Sequence, residues 1–216
     1  MRKKDLEIVL SKTPDFHKPK EFLEQYITPS RIAADLLWEA YMRGDILEKT
    51  ILDLGCGTLR LGIGALFLGA RRVIGVDIDC ETLYSAYKWL ARHKISKYFL
   101  LICADVEDIF LTNIDTVLMN PPFGVKKRNR GLDMVFLKKA LGLAGTVYTM
   151  HKTSKGERVL VKQIAEAYNS KIVFEREMLF PIKMVFSHHR RRVYKIKIDV
   201  YAIKRATGEK NEARNK

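Results

Sequence analysis

No run of about 18 apolar residues occurs in this 216-residue chain, which argues against a membrane-spanning helix and any membrane role. The N-terminus, MRKKDLEIVLSKTPDF, is charged throughout and lacks the apolar core of a secretory signal. Cysteine is scarce. Cys56, Cys80 and Cys103 form an odd, scattered set with neither metal-ligand nor disulfide spacing. That usage predicts a reducing, intracellular and cytoplasmic setting. No internal repeat is visible. What the chain has in surplus is positive charge: 39 Lys and Arg against 25 Asp and Glu, a formal net charge of +14. Such a surplus favours a polyanionic partner, nucleic acid first. Apolar residues make up 47%, enough for a sizeable core in one domain with short extensions.

Along the chain the rhythm changes once. Residues 1–44 read as helical pieces punctuated by Pro14, Pro19 and Pro29, ending in a helix RIAADLLWEAYMRG that Ser30 can cap and Gly44 can close. This part is expected to be an extension packed on the main domain. From residue 45 to 205 short apolar strands (TILDLG, RRVIGVDID, YFLLICADV, DTVLMN, GTVYTMHK) alternate with helical patterns (LRLGIGALFLGA, ETLYSAYKWLARH, LDMVFLKKALGLA, GERVLVKQIAEAYN). Alternation of this kind predicts an α/β fold with a mainly parallel, doubly wound sheet covered on both faces. The last strands, KIVFEREMLF and RVYKIKIDVYAIK, can pair antiparallel at one edge. Residues 206–216, basic and without a run of apolar residues, are expected to be a disordered tail.

Ligands of such sheets bind at the carboxyl ends of the strands. The first strand ends in DLGCGT, where Gly55 and Gly57 allow a tight turn and close backbone approach. A dinucleotide fingerprint fits poorly, because Arg60 stands where G-x-G-x-x-G has its third glycine. The later strands end at Asp77, Asp105 and Asn120. A carboxylate about twenty residues after the glycines can accept paired hydrogen bonds from ribose hydroxyls, and a second can accept from an adenine amino group. Singly, each Asp is as readily a helix N-cap. Four in register are more than capping requires.

DLGCGT, Asp77, the ADV at 104–106 and the NPPF at 120–123 together resemble the class I S-adenosylmethionine-dependent methyltransferases. The resemblance implies a seven-stranded Rossmann-like sheet with its last strand antiparallel, and S-adenosylmethionine as cofactor. It implies that Gly55 and Gly57 border the methionine part, Asp77 the ribose, and Asp105 with Val106 the adenine. Asp53, Thr58, Ile78 and Asn120 join them as cofactor contacts. The chain departs from many members at Leu59, where they carry a third glycine.

The stretch VLMNPPFGVKKRNRGLDMVF ends a strand in an amide, two prolines and a ring, then opens into a basic loop. A planar exocyclic amine is a poor nucleophile because its lone pair is delocalised. Asn120 Oδ1 and the Pro121 carbonyl can each accept from such an NH₂, orienting it and favouring the pyramidal nitrogen of the transition state. Pro121 and Pro122 stiffen that geometry. Phe123 offers a face on which a flipped-out base can stack. No nucleophilic side chain or histidine base is required. Lys126, Lys127, Arg128 and Arg130, with Arg190, Arg191 and Arg192 in SHHRRRVYK, are expected to meet RNA phosphates. His188 and His189 in that segment lack further ligand spacing, so no metal site is expected. His151 is read as structural, and Trp38, Tyr84, Tyr87 and Trp89 as core or boundary residues.

Motifs of this kind serve adenine N6, guanine N2 and glutamine-amide methylation alike. KPKEFLEQYITPSRIAADLL, MNPPFGVKKRNRGLDMVFLKKAL, VYTMHK and RVYKIKIDVYAI, in that order, are similar to the METTL-type family that methylates adenine N6 in small-subunit ribosomal RNA. The resemblance implies that Gln25 and Thr28 contact the cofactor. It also implies a small zinc-ribbon activator protein as a partner. From residue chemistry alone that segment is a polar turn between helices. The other readings are a guanine-N2 RNA methyltransferase, a glutamine-amide protein methyltransferase, and a non-catalytic RNA-binding assembly factor.

Overall fold

A computed structural model describes residues 1–183 and 193–206. Its centre is a seven-stranded sheet in the order β3-β2-β1-β4-β5-β7-β6. The strands are β1 (Thr50–Leu54), β2 (Arg72–Asp77), β3 (Phe99–Cys103), β4 (Thr116–Met119), β5 (Thr146–Lys152), β6 (Ser170–Lys183) and β7 (Val193–Arg205). The first five are parallel to one another, and β7 runs antiparallel to both β5 and β6. Every residue of β1 and β4 is buried, as expected of parallel strands covered on two faces. The strand order reverses between β1 and β4, which opens a crevice at their carboxyl ends.

Helices α1 (Lys3–Ser11), α2 (Ser30–Met42), α3 (Arg60–Phe67) and α4 (Cys80–Arg92) precede α5 (Leu132–Leu143) and α6 (Lys155–Ala167). Pro29, with φ −56°, sets up the start of α2 at Ser30, and the buried Ile32, Ala33, Leu36, Leu37 and Ala40 recur at helical spacing. The N-terminal helices share a core with the sheet: Leu6, Leu10 and Leu37 lie in one cluster with Ile51, Val73 and Tyr148. On the other face α5 and α6 bury Phe136, Leu137, Ala140, Val161 and Ile164 against Leu52, Leu54, Val117 and Met119. A smaller cluster joins α4 to the first turn through Leu59, Ile63, Leu83 and Leu90. Trp38 and Trp89 pack partly buried against these cores, whereas Tyr84 and Tyr87 are more exposed than their helical positions suggested.

The cysteine reading is corrected. Cys80 and Cys103 form a disulfide with their Cα atoms 5.3 Å apart, and Cys56 alone is free. Sequence spacing hides the pair because sheet register creates it. Cys103 lies beside Asp77 in the β2–β3 ladder, and Cys80 opens α4 three residues further on. The argument from unpaired cysteines to a reducing compartment therefore falls. Among the described residues no helix is long and apolar enough to cross a membrane.

Candidate active site

The carboxyl ends of β1 to β4, the start of α5 and residues 23–28 of the N-terminal extension enclose one cavity. The glycine turn makes its floor. Gly55 and Gly57 hold φ of 68° and 49°. A Cβ on Gly55 would lie 2.7 Å from the Phe136 ring, and one on Gly57 2.8 Å from the Phe16 ring. Both positions thus need glycine for the turn and for the rings that press on it. Leu59 adopts φ 65°, ψ 25°, the conformation of the glycine it stands in for, and its side chain is fully buried.

The acidic strand ends are tightly engaged. Asp53 is buried and accepts from the Gly62 N–H at 2.7 Å; burial pushes its pKa up to about 8, with Asp77 adding repulsion and the Gly62 bond opposing. Asp77 accepts from the Gly57 N–H at 2.7 Å and the Asp79 N–H at 2.9 Å. Burial raises its pKa too, partly offset by these donors. Each Asp77 oxygen keeps a second lone pair for a ligand hydroxyl. Asp105 is exposed and caps the following 3₁₀ turn by accepting from the Glu107 N–H at 3.0 Å. The capping role foreseen for a single Asp is thus present, and Asp105 still borders the cavity beside Ile78 and the buried Val106.

Asn120 follows β4. Its Nδ2 donates to Thr28 Oγ1 at 2.9 Å, while its Oδ1 is buried without a hydrogen-bond partner. An orphaned acceptor of this kind costs about 1–3 kcal/mol unless something donates to it. Pro121 and Phe123 are buried beside it. The Phe123 ring meets Phe180 edge-on, with centroids 5.3 Å apart, so part of it belongs to the core. Gln25 borders the same cavity with both ends of its amide engaged: Nε2 donates to Asp79 Oδ2 at 2.8 Å and Oε1 accepts from the Lys20 N–H at 2.7 Å, leaving a second N–H and a second lone pair. Burial opposes charge on Asp79, but donors from Lys20, Gln25 and Thr82 outweigh it and bring its pKa to about 2.

All the cofactor and catalytic positions named from the sequence, from Gln25 and Thr28 through Asp53, Gly55, Gly57, Thr58, Asp77, Ile78, Asp105 and Val106 to Asn120, Pro121, Pro122 and Phe123, line this one cavity. Sequence reasoning missed others that line it. Arg60, almost wholly buried, donates to Thr13 Oγ1 at 2.9 Å, to the Thr28 carbonyl at 2.8 Å and to Asp15 at 3.0 Å. Burial lowers its pKa and Asp15 opposes the shift. Glu24, with φ 52°, accepts through Oε1 from the Lys126 N–H and from Asn129, and its Oε2 is a second buried orphan. No spacing rule marks either residue.

The basic loop leans on the extension. Lys126 pairs with Glu21, Arg128 lies over the Phe22 ring at 5.1 Å, and Asn129 donates to the Phe22 carbonyl at 3.0 Å. Lys127, Arg128 and Arg130 are exposed, whereas half-buried Lys126 is partly neutralised. Arg190, Arg191 and Arg192, like His188 and His189, lie outside the described residues. His151 is buried away from the cavity, its ring between Asp133 at 3.1 Å and Thr149 at 2.9 Å.

This fold, with glycine turn, strand-end acids and amide on one cavity, defines a class I methyltransferase. The sequence matches the methyltransferase small domain family over residues 31–172, and the chain belongs to that family. It is 33% identical to the rRNA N(6)-adenosine-methyltransferase METTL5 of Danio rerio, over 92% of this chain and 97% of that one. It is 34% identical to the protein MJ0284 of Methanocaldococcus jannaschii over 95% of each. The crystal structure of PH1948 from Pyrococcus horikoshii superposes with a TM-score of 0.85 at 35% identity, covering 96% of this chain and 99% of that one. The chain is a methyltransferase whose cofactor is S-adenosylmethionine. The cavity suits it: Asp53, Asp77 and Asp105 at successive strand ends border it with acceptors for hydroxyl, amino and cationic groups, and the buried Asn120 Oδ1 on its wall lacks a partner.

Proposed function

We propose that the protein methylates the N6 amine of adenine in structured RNA, specifically small-subunit ribosomal RNA in the cytoplasm. The observation that carries this reading is the buried, unpartnered Asn120 Oδ1 on the cavity wall, an acceptor awaiting a donor. The METTL5 relatives, named as rRNA N(6)-adenosine methyltransferases, support the choice of amine.

S-adenosylmethionine, when bound, supplies a methyl made electrophilic by its sulfonium. Asp53, Asp77 and Asp105 would hold it with the turn of Gly55, Gly57 and Thr58, and Ile78, Val106 and Gln25 would complete its surroundings. Asn120 Oδ1 and the Pro121 carbonyl accept from the target NH₂, so the nitrogen lone pair turns out of the ring plane toward the methyl. That stabilisation belongs to the transition state, where the nitrogen becomes tetrahedral. As the methyl passes from sulfur to nitrogen the cofactor is left as the neutral thioether S-adenosylhomocysteine, and the methylated nitrogen gives up its extra proton to water. Pro122 stiffens the turn, and Phe123 offers the base what its ring leaves open to the cavity. Lys126, Lys127, Arg128 and Arg130 lie next along the chain to meet phosphates, with Arg190, Arg191 and Arg192 assigned there on charge alone. A small zinc-ribbon activator protein enters this reading through the family resemblance.

The test is nucleoside mass spectrometry of ribosomal RNA incubated with the protein and labelled S-adenosylmethionine, with and without such an activator. Label in N6-methyladenosine is expected. Label in N2-methylguanosine or in protein glutamine would overturn the reading, as would cofactor binding with no transfer.

A further inference from the structure

We propose that Thr28 is a positioning residue for methyl transfer: its hydroxyl holds the Asn120 side chain so that the amide oxygen faces the target amine. The inference rests on the proposed role of Asn120 and adds a residue from the N-terminal extension to it. An amide has a donor end and an acceptor end of nearly equal size, and only the oxygen end can receive an NH₂. One N–H of the Asn120 amide donates to Thr28 Oγ1 at 2.9 Å, and in this arrangement the oxygen is turned away from Thr28 and left for an incoming donor. That oxygen is buried and has no partner. A free side chain would satisfy it by turning elsewhere.

Thr28 is itself held from two directions. Pro29 follows it and restricts its backbone to extended conformations. Arg60 donates to its carbonyl at 2.8 Å. The same guanidinium ties down Thr13 and Asp15, so the segment on both sides of the basic-loop contact is pinned to the first turn of α3. Thr28 is only 7% exposed, and it stands 92 residues from the amide it orients. The extension therefore takes part in the transfer step as well as in covering the cofactor.

The experiment compares Thr28→Val, which keeps shape and loses the hydroxyl, with Thr28→Ser, which keeps it, in the full chain. Single-turnover transfer to RNA is read at saturating cofactor, alongside calorimetric cofactor affinity and thermal stability. Thr28→Val is expected to slow transfer at saturating cofactor about 10-fold, as a misplaced reacting group does, and to change cofactor affinity by clearly less than that. Thr28→Ser should restore most of the rate. On an Asn120→Ala background, Thr28→Val should add no further loss. Unchanged transfer in Thr28→Val would overturn the proposal. So would a loss of cofactor affinity matching the loss of rate, which makes Thr28 a cofactor contact, or an additive loss in the double variant. If the wild type methylates a different amine, the adenine reading fails, and the same comparison on that amine still decides the role of Thr28.

Discussion

Leu59 lies directly against Gly75: a Cβ built on Gly75 would fall 2.5 Å from Leu59 Cδ2. The leucine in left-handed backbone conformation and the glycine in the middle of β2 accommodate each other. Gly75→Ala should therefore overpack the site and cost about 1–3 kcal/mol of stability. It should also weaken S-adenosylmethionine, because the displaced side chain belongs to the turn after Gly57. Thermal denaturation and calorimetry on one preparation check both. Full stability in the variant would show that Leu59 moves aside freely.

Asn120→Ala removes an acceptor used in the transition state. Transfer should fall on the order of 100-fold, as when one preorganised polar group is lost. Cofactor affinity should change little. Turnover near that of the wild type would take Asn120 out of the mechanism.

Asp53 gives a pH signature. Its native pKa of about 8 lies above its ordinary value of about 4, so folding takes up a proton between those pH values. Its contribution makes the ligand-free protein less stable as pH rises from about 4 to about 8, and is flat above. Binding of the cationic cofactor should favour ionised Asp53 and release a proton approaching one equivalent near pH 7. Calorimetry in two buffers of different ionisation enthalpy measures it, with Asp53→Asn as the reference. Equal proton release in both proteins would place the charge elsewhere.

The Cys80–Cys103 bond closes a loop of 23 residues. A crosslink of that span stabilises by about 3 kcal/mol through the unfolded chain. Cys80→Ser should lower the denaturation midpoint by a corresponding amount under oxidising conditions and have little effect on the reduced protein. A midpoint insensitive to both reductant and substitution would mean that the crosslink does not stabilise the fold.

Lys127 and Arg128 are exposed on the loop that follows the catalytic strand. Replacing both by Ala should lower the slope of log RNA affinity against log salt by roughly 1–2, about 0.7 for each single-strand phosphate contact. Cofactor affinity should be unchanged. Parallel salt titrations of variant and wild type would place the RNA path elsewhere. Lys126, paired with Glu21, should contribute less than either.

What could be read from sequence was what local pattern determines. Short apolar strands that must each end in a turn made the acidic ends at Asp77 and Asp105 and the amide Asn120 visible, and all three border one cavity. What escaped depends on partners remote in sequence. Arg60 looked like a missing glycine, yet it holds the N-terminal extension in place from 32 and 47 residues away. Cys103 meets Cys80 only through the β2–β3 register. Glu24 and Phe16 sat in an unpatterned turn and became wall and floor. Tyr84 and Tyr87 shared the helical spacing of α4 but fell on its outward face, because Leu83, Ala86 and Leu90 took the inner one.

The placing of β7 between β5 and β6 bears on how the chain is made. Strand β5 finds its neighbour on that side only when β7 has been synthesised, some fifty residues later. At ribosomal speeds of about 5–20 residues per second, the nascent sheet carries an open edge for several seconds. Throughout that interval the amides of β5 are available to any other extended chain. Lys152 at the tip of β5, with Lys155, Arg158 and Lys162 of the α6 that is made next, puts charged side chains near that edge while it waits.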